Sequence, residues 1–263
     1  MAERILVTGG TGVLGRAVVR ELVAAGRSVR VLSRRPPPGD ARYVSGDLTT
    51  GAGLDDAVAD TDVVVHLATA TSGRAREVAL ARLLIAAMER AGVPHVGYVS
   101  IVGVDQVPLG YYQGKLAVER LLERSAPAHT ILRATQFHDL VRTLLAAAAT
   151  LPVPLVPDVP IQPVDVRDVA GRIAELALGD PAGRVPDFGG PQVRGARDLA
   201  RAYLAATGRR KPVLPLRLPG KVIAAYRAGD HLAPRHPGGS ITFERYLAEH
   251  PAPRRLSYRT AQP

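Results

Sequence analysis

The chain has 263 residues, 46% of them hydrophobic and 22% charged, a net charge of +10 and no cysteine. This suits one large α/β domain, or one with a small appended lobe. The missing cysteines exclude disulfides, thiolate metal sites and a cysteine nucleophile, and they fit a reducing cytoplasm. Ile5-Leu6-Val7 is too short for a signal or membrane segment, so a soluble protein is expected. The basic residues are mostly arginines, set singly or in pairs such as Arg34-Arg35 and Arg209-Arg210, with acidic residues between them and only 4% aromatics. That distribution favours an arginine-rich surface over a nucleic-acid site.

Short apolar runs alternate with amphipathic stretches from the start. Arg4 to Thr8 reads as a strand, Val13 to Ala25 as a helix and Ser28 to Ser33 as a second strand. After Pro36 to Pro38 come Tyr43-Val44-Ser45, a helix around Leu54 to Ala59 and the apolar run Val63-Val64-Val65, whose continuity implies a strand covered on both faces. Ala75 to Ala91 is helical and closes at Gly92, and the strand His95 to Ser100 follows. A helix over Tyr111 to Arg124 leads to the strand His129 to Arg133. Six alternations predict a doubly wound parallel sheet of the Rossmann type. Beyond Gln136 the rhythm loosens into a helix near Leu140 to Ala149, the proline-rich Leu151 to Pro163, a helix over Val166 to Leu178 and proline-broken segments. Residues 1–135 are expected to form the nucleotide-binding core. Residues 136–263 are expected to complete the sheet and supply a small substrate-covering lobe that does not fold alone.

Thr8-Gly9-Gly10-Thr11-Gly12-Val13-Leu14-Gly15 places G-x-x-G-x-x-G between a strand and a helix, the context in which this pattern binds a dinucleotide. Gly9 permits the tight turn, Gly12 lets the backbone approach a pyrophosphate, and Gly15 lets the helix pack closely. The helix amino terminus from Val13 and Leu14 offers unpaired N–H groups to phosphate. The second strand ends in Ser33-Arg34, without the acid that normally binds a ribose 2′-hydroxyl. Ser33 and Arg34 suit a 2′-phosphate instead, so NADP(H) is favoured over NAD(H).

Tyr111 and Lys115 lie four apart at the start of the helix after the fifth strand and share one helical face. Hydride reduction of a carbonyl creates an oxyanion that a phenol can protonate. A phenol ordinarily titrates near pH 10, and bringing it to neutrality requires roughly 4 kcal/mol. An ammonium about 4 Å away supplies about that much at an effective dielectric of 20. Tyr111 is therefore the candidate general acid and Lys115 the group that lowers its pKa, with Tyr112 as pocket wall. Ser100 ends the preceding strand and either donates to the substrate oxygen or starts a turn.

These residues, with Gly46-Asp47-Leu48, Val99-Ser100 and the stretch Gln162 to Ala170, give a chain that resembles the short-chain dehydrogenase/reductase superfamily, in particular its atypical, NmrA-like NAD(P)-binding branch. The resemblance implies that Asp47 and Leu48 line the adenine, that Ala68 lies against the cofactor, with Thr11 in the same turn, and that Lys115 also holds the nicotinamide ribose hydroxyls. The gap from Ser100 to Tyr111 is short for the family's extended branch; several atypical members lack the tyrosine, and some serve as redox sensors or assembly factors, whereas Tyr111 and Lys115 are both present here.

The seven histidines show no metal spacing, so no metal site is expected. His66 and His138 fall near strand ends, where packing or hydrogen bonding is the favoured role. The expected activity is NADPH-dependent hydride transfer to a small organic carbonyl or conjugated alkene. The alternatives are a non-catalytic NADP(H)-binding redox sensor or partner-binding regulator, and an isomerase that recycles its cofactor. The only partner expected is a small-molecule substrate, with no nucleic acid or membrane, and the oligomeric state stays open.

Overall fold

A computed structural model describes residues 3–70 and 73–251, so the end of the 136–263 stretch lies outside the described residues. In chain order the elements are β1 Arg4–Thr8, α1 Val13–Ala24, β2 Ser28–Ser33, β3 Tyr43–Ser45, α2 Leu54–Val58, β4 Val63–His66, α3 Arg74–Ala91, β5 His95–Ile101, α4 Gly110–Leu122 and β6 Ala128–Ala134. There follow α5 His138–Ala148, β7 Leu155–Pro157, β8 Pro160–Ile161, α6 Val166–Ala177, β9 Gly183–Arg184, β10 Arg194–Gly195, α7 Ala196–Ala206, β11 Leu214–Leu216, α8 Lys221–Ala228 and α9 Phe243–Glu249. Two compact units result: Met1–Ala134 with Val169–Asp187, and Thr135–Asp168 with Phe188–Pro263.

The first unit holds a seven-stranded sheet in the order β3-β2-β1-β4-β5-β6-β9. Its pairings are all parallel. Parallel strands covered by helices on both faces have no solvent side, which is why β4 is apolar along Val63-Val64-Val65 and buried throughout. The chain winds outward from β1 to β3 and then returns to the other side of β1 with β4. That reversal opens the crevice beyond the carboxyl ends of β1 and β4 where ligands bind in such sheets. Leu6, Val64, Val96, Tyr98 and Ile131 of the strands pack with Leu84, Met88, Val118 and Leu122 of α3 and α4 into one core. Truncating one of these leucines to alanine costs about 2–5 kcal/mol.

The unit departs from the expected six strands by β9, two residues too short to register as a hydrophobic pattern. α4 begins at Gly110, which sets Tyr111 in its first turn. Along α3 and α4 a shallow groove is lined by Arg74, Ala75, Val78, Arg82, Ala117, Arg120, Leu121 and Arg124.

In the second unit Val141 and Leu145 of α5, Leu199 and Tyr203 of α7, and Phe243 and Tyr246 of α9 form a separate core. β7 pairs with β11, and β8 with β10. The Gln162 side chain donates to the Gly190 and Ala233 carbonyls and accepts from the Ala233 N–H, and the Asp168 carboxylate accepts from Ser240 and Ile241. Those side chains tie separate loops together within this unit. No helix among the described residues is long and apolar enough to cross a membrane.

Candidate active site

The glycine turn follows β1. Gly9 has φ +69, and a Cβ there would lie 2.6 Å from the Ala68 nitrogen, so the turn and the end of β4 touch through backbone alone. Gly12 N–H donates to the Gly9 carbonyl at 2.9 Å. A Cβ on Gly15 would meet that same carbonyl oxygen at 2.1 Å and the Gly10 Cα at 2.6 Å, so the third glycine packs α1 onto the turn itself. Gly12 caps α1 without a side chain, and the first turn carries no acidic residue. The result is a cradle of backbone N–H groups and a helix amino terminus that a side chain would fill, which fits a pyrophosphate. Thr11 is exposed and its carbonyl accepts from Arg16 at 2.7 Å, while Val13 and Leu14 are half-buried.

At the end of β2, Ser33 Oγ accepts the Arg35 N–H at 3.2 Å, which leaves its hydroxyl proton available to donate. Arg34 is exposed and shares a depression with Ser45, Gly46, Asp47 and Asp56. The Thr49 N–H donates to Asp47 and is the main reason its carboxyl lies below the usual range, with Arg34 and Arg76 adding to the effect against partial burial. Leu48 packs against the main core of the unit, and Ala68 is half-buried with its N–H donating to Thr8 Oγ1 at 3.3 Å.

Tyr111 and Lys115 stand on one face of α4, but their polar atoms have other partners. Tyr111 OH lies 3.3 Å from Thr69 Oγ1. Lys115 Nζ lies 3.2 Å from Glu77 Oε1, with side chains 5% and 3% exposed, and also 4.8 Å from the centre of the Tyr98 ring. Burial opposes the lysine charge, but Tyr98, Tyr111 and Glu77 outweigh it and hold the ammonium above the ordinary lysine range. Burial pushes the Tyr98 phenol up. Tyr112 is buried and meets Tyr111 edge-on at 6.5 Å.

Ser100 is 2% exposed and its Oγ has no hydrogen-bond partner among the described residues. His66 accepts from or donates to Thr8 Oγ1 at 2.7 Å and stacks on Tyr98. Burial first, then Lys115, push its pKa down to about 3. In the second unit His138 Nε2 meets the Ile241 carbonyl at 2.9 Å, and its ring packs against Phe243 and Tyr246. Both histidines are packed and hydrogen-bonded. No cluster of three or more metal-ligating side chains occurs among the described residues.

Two functional candidates escaped the sequence reading: Thr69 and Glu77. Glu77 did carry a signal, because it falls on the α3 stripe with Leu80, Ala81, Leu84 and Ile85. A carboxylate at a core position requires a buried partner.

Residues 9–173, more than half of the chain, match the family described as NAD(P)H-binding. The chain belongs to that family. Over 217 residues, 78% of this chain and 74% of the relative, it is 30% identical to the (4-alkanoyl-5-oxo-2,5-dihydrofuran-3-yl)methyl phosphate reductase of Streptomyces griseus. A stretch of 69 residues, 25% of this chain, is 41% identical to a 3-beta-hydroxysteroid dehydrogenase of Mycolicibacterium neoaurum, of which it spans only 19%. The NADPH-dependent quinone oxidoreductase of Escherichia coli, solved with NADPH, shares the fold with a TM-score of 0.76 at 20% identity, over 93% of this chain and 99% of that one.

Proposed function

We propose that the chain is an NADPH-dependent reductase acting on a small organic carbonyl or conjugated alkene, with Tyr111 as the general acid. The observation that carries the reading is the placement of the Tyr111 hydroxyl in the first turn of α4, bonded to Thr69 and backed by the Lys115–Glu77 pair. The reduced nicotinamide, when bound, supplies the hydride. The glycine turn and the α1 amino terminus bind the pyrophosphate, Ser33 and Arg34 bind the 2′-phosphate, and Asp47, Leu48 and Ala68 flank the nucleotide. Tyr111 delivers a proton to the substrate oxygen, with Ser100 as a further donor. Replacing Tyr111 with Phe lowers turnover by about 10²–10⁴ without changing NADPH affinity. Unchanged turnover, measured across a panel of carbonyl compounds with NADPH and NADH, overturns the assignment.

One observation favours a second reading, a non-catalytic NADP(H) sensor: Lys115 is buried and already ion-paired. On that reading no carbonyl compound consumes NADPH, and association with another macromolecule follows the redox state of the cofactor.

A further inference from the structure

Glu77 has no part in the reaction as outlined, yet three donors converge on its carboxylate. Lys115 Nζ lies 3.2 Å from Oε1, Thr69 Oγ1 lies 3.1 Å from each oxygen, and the Ala70 N–H donates to Oε2. A threonine has one hydroxyl proton, and the symmetric approach commits it to Glu77. The 3.3 Å contact between Thr69 and Tyr111 therefore has one direction: Tyr111 donates and Thr69 accepts.

We infer that Tyr111, Thr69 and Glu77 form a proton relay, with Thr69 as carrier and Glu77 as the terminal store. This rests on Tyr111 being the acid. When an alcohol is oxidised, its hydroxyl proton passes to Tyr111, the Tyr111 proton to Thr69 and the Thr69 proton to Glu77. Three O–H bonds break and three form, the carboxylate becomes a carboxylic acid, and the alcohol carbon gives up a hydride to the oxidised cofactor. In reduction every transfer reverses: the carbonyl carbon gains the hydride, its oxygen gains the Tyr111 proton, and Glu77, which must first take up a proton from water by way of the exposed Thr69 hydroxyl, ends as a carboxylate. Lys115 then acts on Glu77, as the ammonium that stabilises the discharged store. Thr69 and Glu77 are positioning residues, because neither touches the substrate. The chain also explains why a glutamate stands on the buried stripe of α3.

The test compares Thr69→Val, Thr69→Ser, Glu77→Gln and Tyr111→Phe. With NADPH and 9,10-phenanthrenequinone, Thr69→Val lowers kcat about 10- to 100-fold at unchanged KM for NADPH. Thr69→Ser restores it. The dependence of kcat on solvent deuterium fraction is curved in the wild type and becomes linear in Thr69→Val, because fewer protons move together. Unchanged kcat in Thr69→Val beside an impaired Tyr111→Phe overturns the relay; unchanged kcat in Tyr111→Phe overturns the acid assignment. Infrared difference spectra of the cofactor-free protein decide the chain without a substrate. Thr69→Val and Tyr111→Phe each displace a carboxylate stretch that Glu77→Gln abolishes, since loss of the upstream hydroxyl weakens the bond below it. A carboxylate spectrum unmoved by Thr69→Val overturns the relay. Thr69 is exposed, so its variants keep the test open should Glu77→Gln fail to fold.

Discussion

Glu77 Oε1 meets Lys115 Nζ at 3.2 Å with both side chains buried, and this pair joins α3 to α4 by charge where the neighbouring positions join by packing. Breaking one side of such a pair leaves an uncompensated buried charge and costs about 3–5 kcal/mol, whereas replacing both by apolar groups is often neutral. Lys115→Met is expected to lose that much in urea denaturation, and Glu77→Leu with Lys115→Met to regain most of it. A double variant no more stable than the single one would show that the pair does not act as a unit.

Gly15→Ala places a methyl 2.1 Å from the Gly9 carbonyl oxygen. The turn must shift, and the cradle with it. NADPH binding, followed by cofactor fluorescence, should weaken at least about tenfold, equivalent to about 1.4 kcal/mol. Gly171→Ala in α6 is the control: its Cβ meets nothing within 4 Å, and the variant should gain up to about 1 kcal/mol from helix propensity with unchanged binding.

Arg34→Ala separates the two nucleotides. A charge-assisted hydrogen bond is worth about 1.5–3 kcal/mol, so NADPH affinity should fall by roughly 10- to 100-fold while NADH affinity stays put. Equal losses for both cofactors would place Arg34 away from the 2′-phosphate.

His66 sets an acid limit on stability. Its pKa is lowered to about 3 in the folded protein from an ordinary value of 6.5, so between those values the unfolded chain binds the extra proton. Stability therefore rises with pH across this window and is lost as pH falls through it. At about 1.4 kcal/mol per unit, about 2–3 kcal/mol disappears by pH 4.5. Burial pushes His95, His138 and His231 in the same direction. His66→Gln should show a shallower loss between pH 7 and 4.5 in denaturant titrations; an identical slope counts against a neutral buried histidine.

Most elements of the first unit could be read because a single hydrophobic period runs through each. β1, β2 and β3 carry the expected bounds, and α1 and α3 differ from theirs by one residue at an end. β9 and β10 could not be read, since two residues set no period and their place comes from partners distant in sequence. In the site, the Gly9, Gly12 and Gly15 turn was legible because backbone sterics dictate glycine there. The partners of Lys115 were not: spacing puts Tyr111 and Lys115 on one face, but only tertiary packing brings α3 against it and delivers Glu77. Thr69, in the loop after β4, had no local signature at all.

The groove along α3 and α4 carries Arg74, Arg82, Arg120 and Arg124 with alanine, valine and leucine between them and no carboxylate in its lining. None of the four makes an ion pair among the described residues, so folding gathers like charges that the unfolded chain keeps apart. Dissolved salt relieves such crowding once the Debye length shrinks to about 10 Å, near 0.1 M. The midpoint of thermal unfolding should therefore climb as sodium chloride is raised from low concentration, the opposite of a fold held by exposed ion pairs. Anions that grip guanidinium groups in pairs, sulfate and phosphate among them, should raise it further at equal ionic strength.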